Sequence, residues 1–444
     1  MRKTALIGAL ILAAGGTMAN DAGAGFFPYR YEVYRLANGF TAILIPMEGS
    51  GLIAYYSVVR TGSRDEWEPH RSGFAHFFEH MMFRGTKNYP GDVYDRLVTE
   101  MGASANAYTT DDYTCYYMIA AKENLERVME LESDRFQNLS YDEAAFKTEA
   151  GAVYGEYRKG RVNPWWVLEE ELLNTAFDVH TYKHTTIGFE EDIKLMPTLY
   201  EYSLSFFRRY YRPENVVLIL AGDFRPEEAK PLLERYYGRW EPGYTPPNIK
   251  PEPEQKAERY KEVQYNGRTL PILAIGYKGA AFDPADKMVA AAHVLGEMAF
   301  GENSECYKKL VVREQKVQFV QADFGFNRDP KLYVIYTMVK NEPDVPYVRE
   351  EMDRVVAKFR QELVAPEELE KVKSRLTYGF VMDLDTPGNV GGNLAPFVAL
   401  TGGIESVDTF LNTVRSLQPE DIRQAAEHFL RNEHRTVILL KGVK

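Results

Sequence analysis

Gly73-Phe74-Ala75-His76-Phe77-Phe78-Glu79-His80-Met81-Met82-Phe83 is the stretch that decides how the rest of the chain is read. Most positions are apolar and no proline interrupts, which predicts a short buried helix. His76 and His80 stand four apart, so their imidazoles leave one helical face about a turn from each other. Two nitrogens so spaced can grip one Zn²⁺ at roughly 2.0–2.1 Å each. Glu79 lies on the flank of that face, within reach of a metal-held water without being a ligand. The pattern His-x-x-Glu-His reverses the commoner His-Glu-x-x-His, and both place two ligands and a base on one helix. Two histidines satisfied by backbone partners in a core helix would leave the same trace. A third ligand separates the readings, because catalytic zinc takes three protein ligands and leaves one position open.

Working outward, strands lead into this helix. Residues 31–36 alternate, Asn38-Gly39 makes a tight turn and residues 40–45 are apolar, which predicts a hairpin. Residues 52–59 read as a third strand, ending at Thr61-Gly62-Ser63. Beyond the helix, residues 93–101 form another helix, and residues 102–117 read as two strands around Thr110-Asp111-Asp112. Small, polar strands of that kind suit a sheet edge that another backbone can approach. Asp142 starts a helix running to about Lys159, on which Glu149 and Glu156 are seven apart and share a face. A fully apolar strand follows at residues 215–221.

The clearest boundary is Arg239-Trp240-Glu241-Pro242-Gly243-Tyr244-Thr245-Pro246-Pro247, with Pro251 and Pro253 after it. Its proline content predicts a semi-rigid linker over residues 239–256. The second half repeats the first: a strand at 270–277, a helix at 284–300, and a helix at 419–430 leading into a strand at 436–440. These match their counterparts at a separation of about 220 residues, the mark of an internal duplication. The expected fold is therefore α+β. It comprises two similar tandem α/β-sandwich-like domains, residues 27–238 and 257–444, each a mostly antiparallel sheet covered by helices. The second half has no His-x-x-Glu-His, so one metal per chain is expected.

Composition narrows the partners. Across 444 residues the formal net charge is −11, which argues against nucleic acid and anionic membrane surfaces. Met1-Arg2-Lys3 precedes an apolar run over residues 5–14, and Thr17-Met18-Ala19 offers a small-residue cleavage site. Residues 1–19 thus read as a secretory signal, too short to span a bilayer, and the mature chain is expected to be exported, to the periplasm of a bacterium, without a membrane anchor. Residues 21–28 read as a mobile arm. Cys115 and Cys306 fall in different halves and read as buried free thiols.

Arg60-Thr61-Gly62-Ser63-Arg64-Asp65-Glu66 and the helix stretch above, continued by Arg84-Gly85-Thr86, together resemble the pitrilysin or insulinase (M16) family of zinc metallopeptidases, also called inverzincins. The resemblance continues through Gly102-Ala103-Ser104-Ala105-Asn106-Ala107-Tyr108-Thr109, the span from Glu149 to Glu156, and Tyr211-Arg212-Pro213-Glu214-Asn215. The single-linker layout is similar to the subclass of bacterial processing proteases and mitochondrial processing peptidase subunits, in which two chains close on each other around a chamber. The resemblance implies that His76, His80 and Glu156 ligate zinc and that Glu149 supports them as a second acidic residue. It makes Glu79 the general base and puts Asn106 and Ala107 on the edge strand that pairs with a peptide substrate.

The family pattern also breaks. Active members use an Arg and a Tyr seven residues apart in the second half. Arg313 matches the Arg, but position 320 is Val, and Phe319 and Phe324 lack a hydroxyl. The expectation is a heterodimer, in preference to a homodimer, with a related subunit supplying the Arg/Tyr pair. The competing reading is a non-catalytic structural or core subunit of a larger complex. Such subunits usually lose ligands or base, and this sequence keeps all of them.

Overall fold

The computed structural model describes residues 17–20 and 25–443. The expected signal segment lies outside the described residues except for its last three. Two sheets organise the chain. The first comprises β1 (Thr17–Asn20), β2 (Tyr31–Arg35), β3 (Thr41–Pro46), β4 (Leu52–Val59), β5 (Ser104–Thr109), β6 (Thr114–Ala121) and β7 (Val216–Gly222), in the order β1-β2-β3-β7-β4-β6-β5. The second comprises β8 (Arg259–Tyr265), β9 (Ile272–Lys278), β10 (Val317–Asp323), β11 (Leu332–Val339) and β12 (Arg435–Gly442), in the order β10-β11-β9-β12-β8.

The two sheets share one wiring. Strands β5-β6-β4-β7-β3 correspond one for one to β10-β11-β9-β12-β8. In both, the last pair is parallel and the rest are antiparallel. The α+β class with two mostly antiparallel sheets is thus the observed one. Asn38-Gly39 closes the β2–β3 hairpin, with Gly39 at φ 93°. What local sequence did not convey is that β7 inserts between β3 and β4.

The first five α-helices are α1 (Phe74–Met81), α2 (Gly91–Glu100), α3 (Leu125–Asn138), α4 (Glu143–Gly160) and α5 (Pro164–Ala176). Side-chain alternation splits the first sheet into two buried faces. Ala42, Leu44, Ile53, Tyr55, Leu218 and Leu220 join the core of α1, α3 and α4. Ile43, Ile45, Ala54, Tyr56, Ile219 and Ala221 face the other way, into a core with Val390, Leu394 and Val398. Those last three belong to the second-half helix Pro387–Thr401, which packs across β4 and β7. Tyr56 Oη donates to Gly388 O at 3.0 Å and Arg60 Nε to Ala399 O at 2.8 Å.

The exchange is reciprocal. Helix α5, in the first half of the chain, buries Val167, Leu168, Leu172 and Leu173 against Ile272, Ala274, Ile438 and Leu440 of the second sheet. Lys278 Nζ donates to Ala176 O at 2.7 Å, at the C-terminal end of that helix. Both crossing helices begin with proline after a side-chain cap, Asn163 in one and Thr386 in the other. The proline-rich stretch therefore separates the two sheets along the chain but does not separate their cores. That stretch is itself pinned: Glu252 accepts the N–H groups of Asp178, Val179 and His180.

The expectation of a mobile arm over residues 21–28 needs correction where it is described. Phe27 is buried, and Asp408 Oδ1 accepts from Phe26 N–H and Phe27 N–H at 2.6 and 3.0 Å. The apolar pair outweighs the small residues around it. Both cysteines are buried and free. Among the described residues, no single helix is long and apolar enough to cross a membrane.

Candidate metal centre

Helix α1 starts abruptly. Gly73 precedes it at φ 94°, and a Cβ there would lie 2.5 Å from Ile187 O, so a side chain is excluded by both conformation and space. With no capping side chain at Gly73, the buried Glu66 carboxylate takes that part. Its Oε2 accepts Gly73 N–H and its Oε1 accepts Ala75 N–H, both at 2.6 Å. Burial pushes the Glu66 carboxyl well up from its ordinary range, and the two backbone donors offset only part of that rise. Phe74, Phe77 and Phe78 anchor the helix in the core, with Phe78 stacked on Phe206. His76, Glu79 and His80 are left on the side that faces α4 and β5.

Helix α4 is capped by Asp142, which accepts Ala145 N–H at 2.8 Å. Two turns apart on this helix, Glu149 and Glu156 meet α1. Glu156 Oε2 lies 3.4 Å from His80 Nε2 and 3.6 Å from His76 Nε2. Ligand atoms of His76, His80 and Glu156 all fall within 4.8 Å of one another. These separations are long for N–H···O hydrogen bonds, whose usual length is about 2.9 Å. The two distances from Glu156 lie close to the edge, about 3.3–3.4 Å, of a tetrahedron with arms of roughly 2.0–2.1 Å. Two imidazoles and one carboxylate so arranged fit a zinc-like divalent ion with one position open, and the same donors accept several other metals.

Glu149 sits behind this group. Its Oε1 is 2.9 Å from His80 Nδ1 and its Oε2 binds the Arg84 guanidinium. The hydrogen bond to Glu149, aided by Glu156, holds the His80 imidazole up at about 9. His76 goes the other way, pushed down by burial, and its buried Nδ1 has no hydrogen-bond partner among the described residues. Burial would raise Glu149, but His80 and Arg84 outweigh it and the carboxyl lies below its ordinary value. Glu156 is likewise lowered, chiefly by its contact with His80.

The remaining expected residues fall on two sides. Glu79 Oε2 accepts the Thr109 hydroxyl, Oγ1, at 2.7 Å. Thr109 ends β5, the outermost strand of the sheet, which also carries Asn106 and Ala107. Asn106 is exposed and its Oδ1 accepts Ala107 N–H at 2.9 Å, while Ala107 is buried. Arg313 does not join the group. It lies on the helical turn Lys308–Arg313, more than half exposed, and pairs with Glu305 Oε2 at 3.1 Å. Val320 is buried in the second-half core. Sequence reading gave no role to Glu66, Arg84 or Thr109, although all three lie in quoted motifs. Two spacings carry a signal: Arg84 is one turn beyond His80, and Thr109 shares the strand face of Ala107.

Two family profiles match the central part of the chain, one after the other. Residues 55–189 match "Insulinase (Peptidase family M16)" and residues 199–376 match "Peptidase M16 inactive domain". The chain belongs to peptidase family M16. Within M16 it is 27% identical over 423 residues to the zinc protease PqqE of Helicobacter pylori, covering 93% of each chain. It is 30% identical over 181 residues to the mitochondrial cytochrome b-c1 complex subunit 1 of Bos taurus, covering 40% of this chain and 37% of that one. The crystal structure of a protease from Helicobacter pylori has the same fold, with a TM-score of 0.87 at 24% identity, covering 93% of this chain and 99% of that one.

Proposed function

We propose that this chain is an exported zinc endopeptidase that hydrolyses peptides or unfolded polypeptides, working as the metal-bearing member of a two-chain chamber. The observation that carries the reading is the convergence of His76, His80 and Glu156 donor atoms beside Glu79. Zinc, when bound, lowers the pKa of a coordinated water to roughly 7 and polarises a scissile carbonyl. His76 Nε2, His80 Nε2 and Glu156 Oε2 would hold it, and Glu149 would keep the His80 ring turned towards it. Glu79 keeps Oε1 free of Thr109; that oxygen takes the proton of the attacking water and hands it to the leaving amine. The open edge of β5 accepts an extended peptide as a further strand, so main-chain bonds hold substrate with weak side-chain preference. A closed chamber favours short or unfolded chains over folded proteins.

A related second subunit would supply the Arg/Tyr pair. Support comes from Val at position 320 and from the tie between Arg313 and Glu305. Export rests on the basic and apolar character of residues 1–19. The similarity to a cytochrome b-c1 complex subunit favours a second reading, a structural subunit of a larger assembly, and retention of every donor together with Glu79 weighs against it. The deciding experiment is Glu79→Gln, assayed with and without a co-encoded partner: zinc content should stay at one per chain while peptide cleavage disappears. Cleavage that survives the substitution would remove Glu79 from the mechanism. Wild-type activity that no partner increases would remove the two-chain requirement.

A further inference from the structure

We propose that Thr109 is a positioning residue that fixes the Glu79 carboxylate and ties it to the strand on which the substrate lies. The catalytic half of this inference rests on the peptidase reading above; the tether itself does not. Three observations support it. Thr109 Oγ1 donates to Glu79 Oε2 at 2.7 Å, and among the described residues this is the sole hydrogen bond that the carboxylate receives. Glu79 is only partly buried, so packing alone leaves its side-chain torsions free to wander. Thr109 is the last residue of β5 and pairs in register with Thr114, while among the described residues the opposite side of β5 pairs with no strand.

The consequence is geometric. With Oε2 held by the strand, Oε1 is the oxygen left to work as base, and its direction follows the position of β5. The strand alternation that sends Ala107 into the core sends Thr109 towards α1 from the same face. A peptide pairing with the outer edge near Asn106 lies on the strand that holds the base, three residues away. Substrate docking and base alignment thus share one element, which keeps the reacting groups in mutual register. A hydroxyl satisfied by chance would leave the carboxylate indifferent to its loss.

The test compares Thr109→Val, which keeps shape and loses the donor, with Thr109→Ser, which keeps the donor. The full zinc-loaded chain is used, with its partner subunit where activity requires one, on an internally quenched fluorescent peptide. Thr109→Val should lower kcat roughly 10- to 100-fold with KM, zinc content and Tm unchanged, and Thr109→Ser should recover most of the loss. The second readout needs no activity. The Glu79 carboxylate stretch, identified in the infrared difference between wild type and Glu79→Gln, should shift in Thr109→Val and return in Thr109→Ser. An unshifted band overturns the tether. So does a fall in kcat that comes with matched changes in KM and Tm, since that marks a strand-packing role. A kcat within about twofold of wild type overturns the coupling to catalysis. Cleavage that survives Glu79→Gln defeats the peptidase mechanism instead, and the infrared result still decides the tether.

Discussion

Glu149 Oε1 lies 2.9 Å from His80 Nδ1, on the side of the ring away from the nitrogen that faces Glu156. A carboxylate there fixes the tautomer and makes the ring a better donor to a metal. Glu149→Gln should weaken zinc binding about 10- to 100-fold with the fold intact, read by competition against a fluorescent chelator. Arg84→Met, which leaves Glu149 its bond to His80, should weaken it less.

A second junction responds to acid. Asp329 Oδ2, from the second half, accepts Arg64 Nε at 2.6 Å and faces His180 Nε2 at 3.0 Å. Burial raises the Asp329 carboxyl, but His180 and Arg64 outweigh it and bring it down to about 2. A carboxyl lowered in the folded state stabilises fully above its unfolded value near 3.9 and loses that contribution as pH falls through 2, on the order of 2 kcal/mol. Urea titrations at pH 6 and pH 2 should show wild type losing this increment and Asp329→Asn, already without it, losing less.

Leu168 is fully buried, yet the sheet it covers belongs to the other half of the chain. Leu168→Ala should cost about 2–5 kcal/mol. Because the crossing helices lock both halves together, circular dichroism and tryptophan fluorescence should report one coincident transition rather than two. Leu394→Ala, on the reciprocal helix, should behave the same way. Separate transitions would show that the cores melt independently.

Gly73→Ala forces a left-handed residue and a contact with Ile187 O at the start of helix α1. The strain alone is worth about 1–3 kcal/mol. Lower Tm should come with weaker zinc retention, because the residue that shifts stands three positions before His76.

Sequence reasoning reached furthest where local chemistry is one-sided. The Asn38-Gly39 hairpin, the edge position of residues 104–109 and the repeat near 220 residues each follow from turn chemistry, alternation or spacing. Two things escaped it. Helices α5 and Pro387–Thr401 are apolar enough to be buried, but periodicity does not say which sheet a helix covers. The segment before β2 looked mobile because the residue that holds it, Asp408, lies more than 380 positions along the chain. At the centre, four-residue spacing paired His76 with His80, whereas Glu156 came from the family resemblance. Glutamate on a helix is too common to be picked out unaided. Thr109 was passed over because a threonine in a strand is ordinary until its acceptor is visible.

The crossing helices also set an order of events during synthesis. When β7 is complete at Gly222, the face bearing Ile43, Ile45, Tyr56 and Ile219 still lacks the helix that covers it, which starts at Pro387. At ribosomal rates of about 5–20 residues per second, that apolar surface stays bare for on the order of ten seconds or more. An unfinished chain is therefore sticky, and a stalled or truncated one is a natural client for holding chaperones. For the same reason, a stop codon between residues 239 and 386 disables the half that carries His76, His80 and Glu156 without touching one of its own residues.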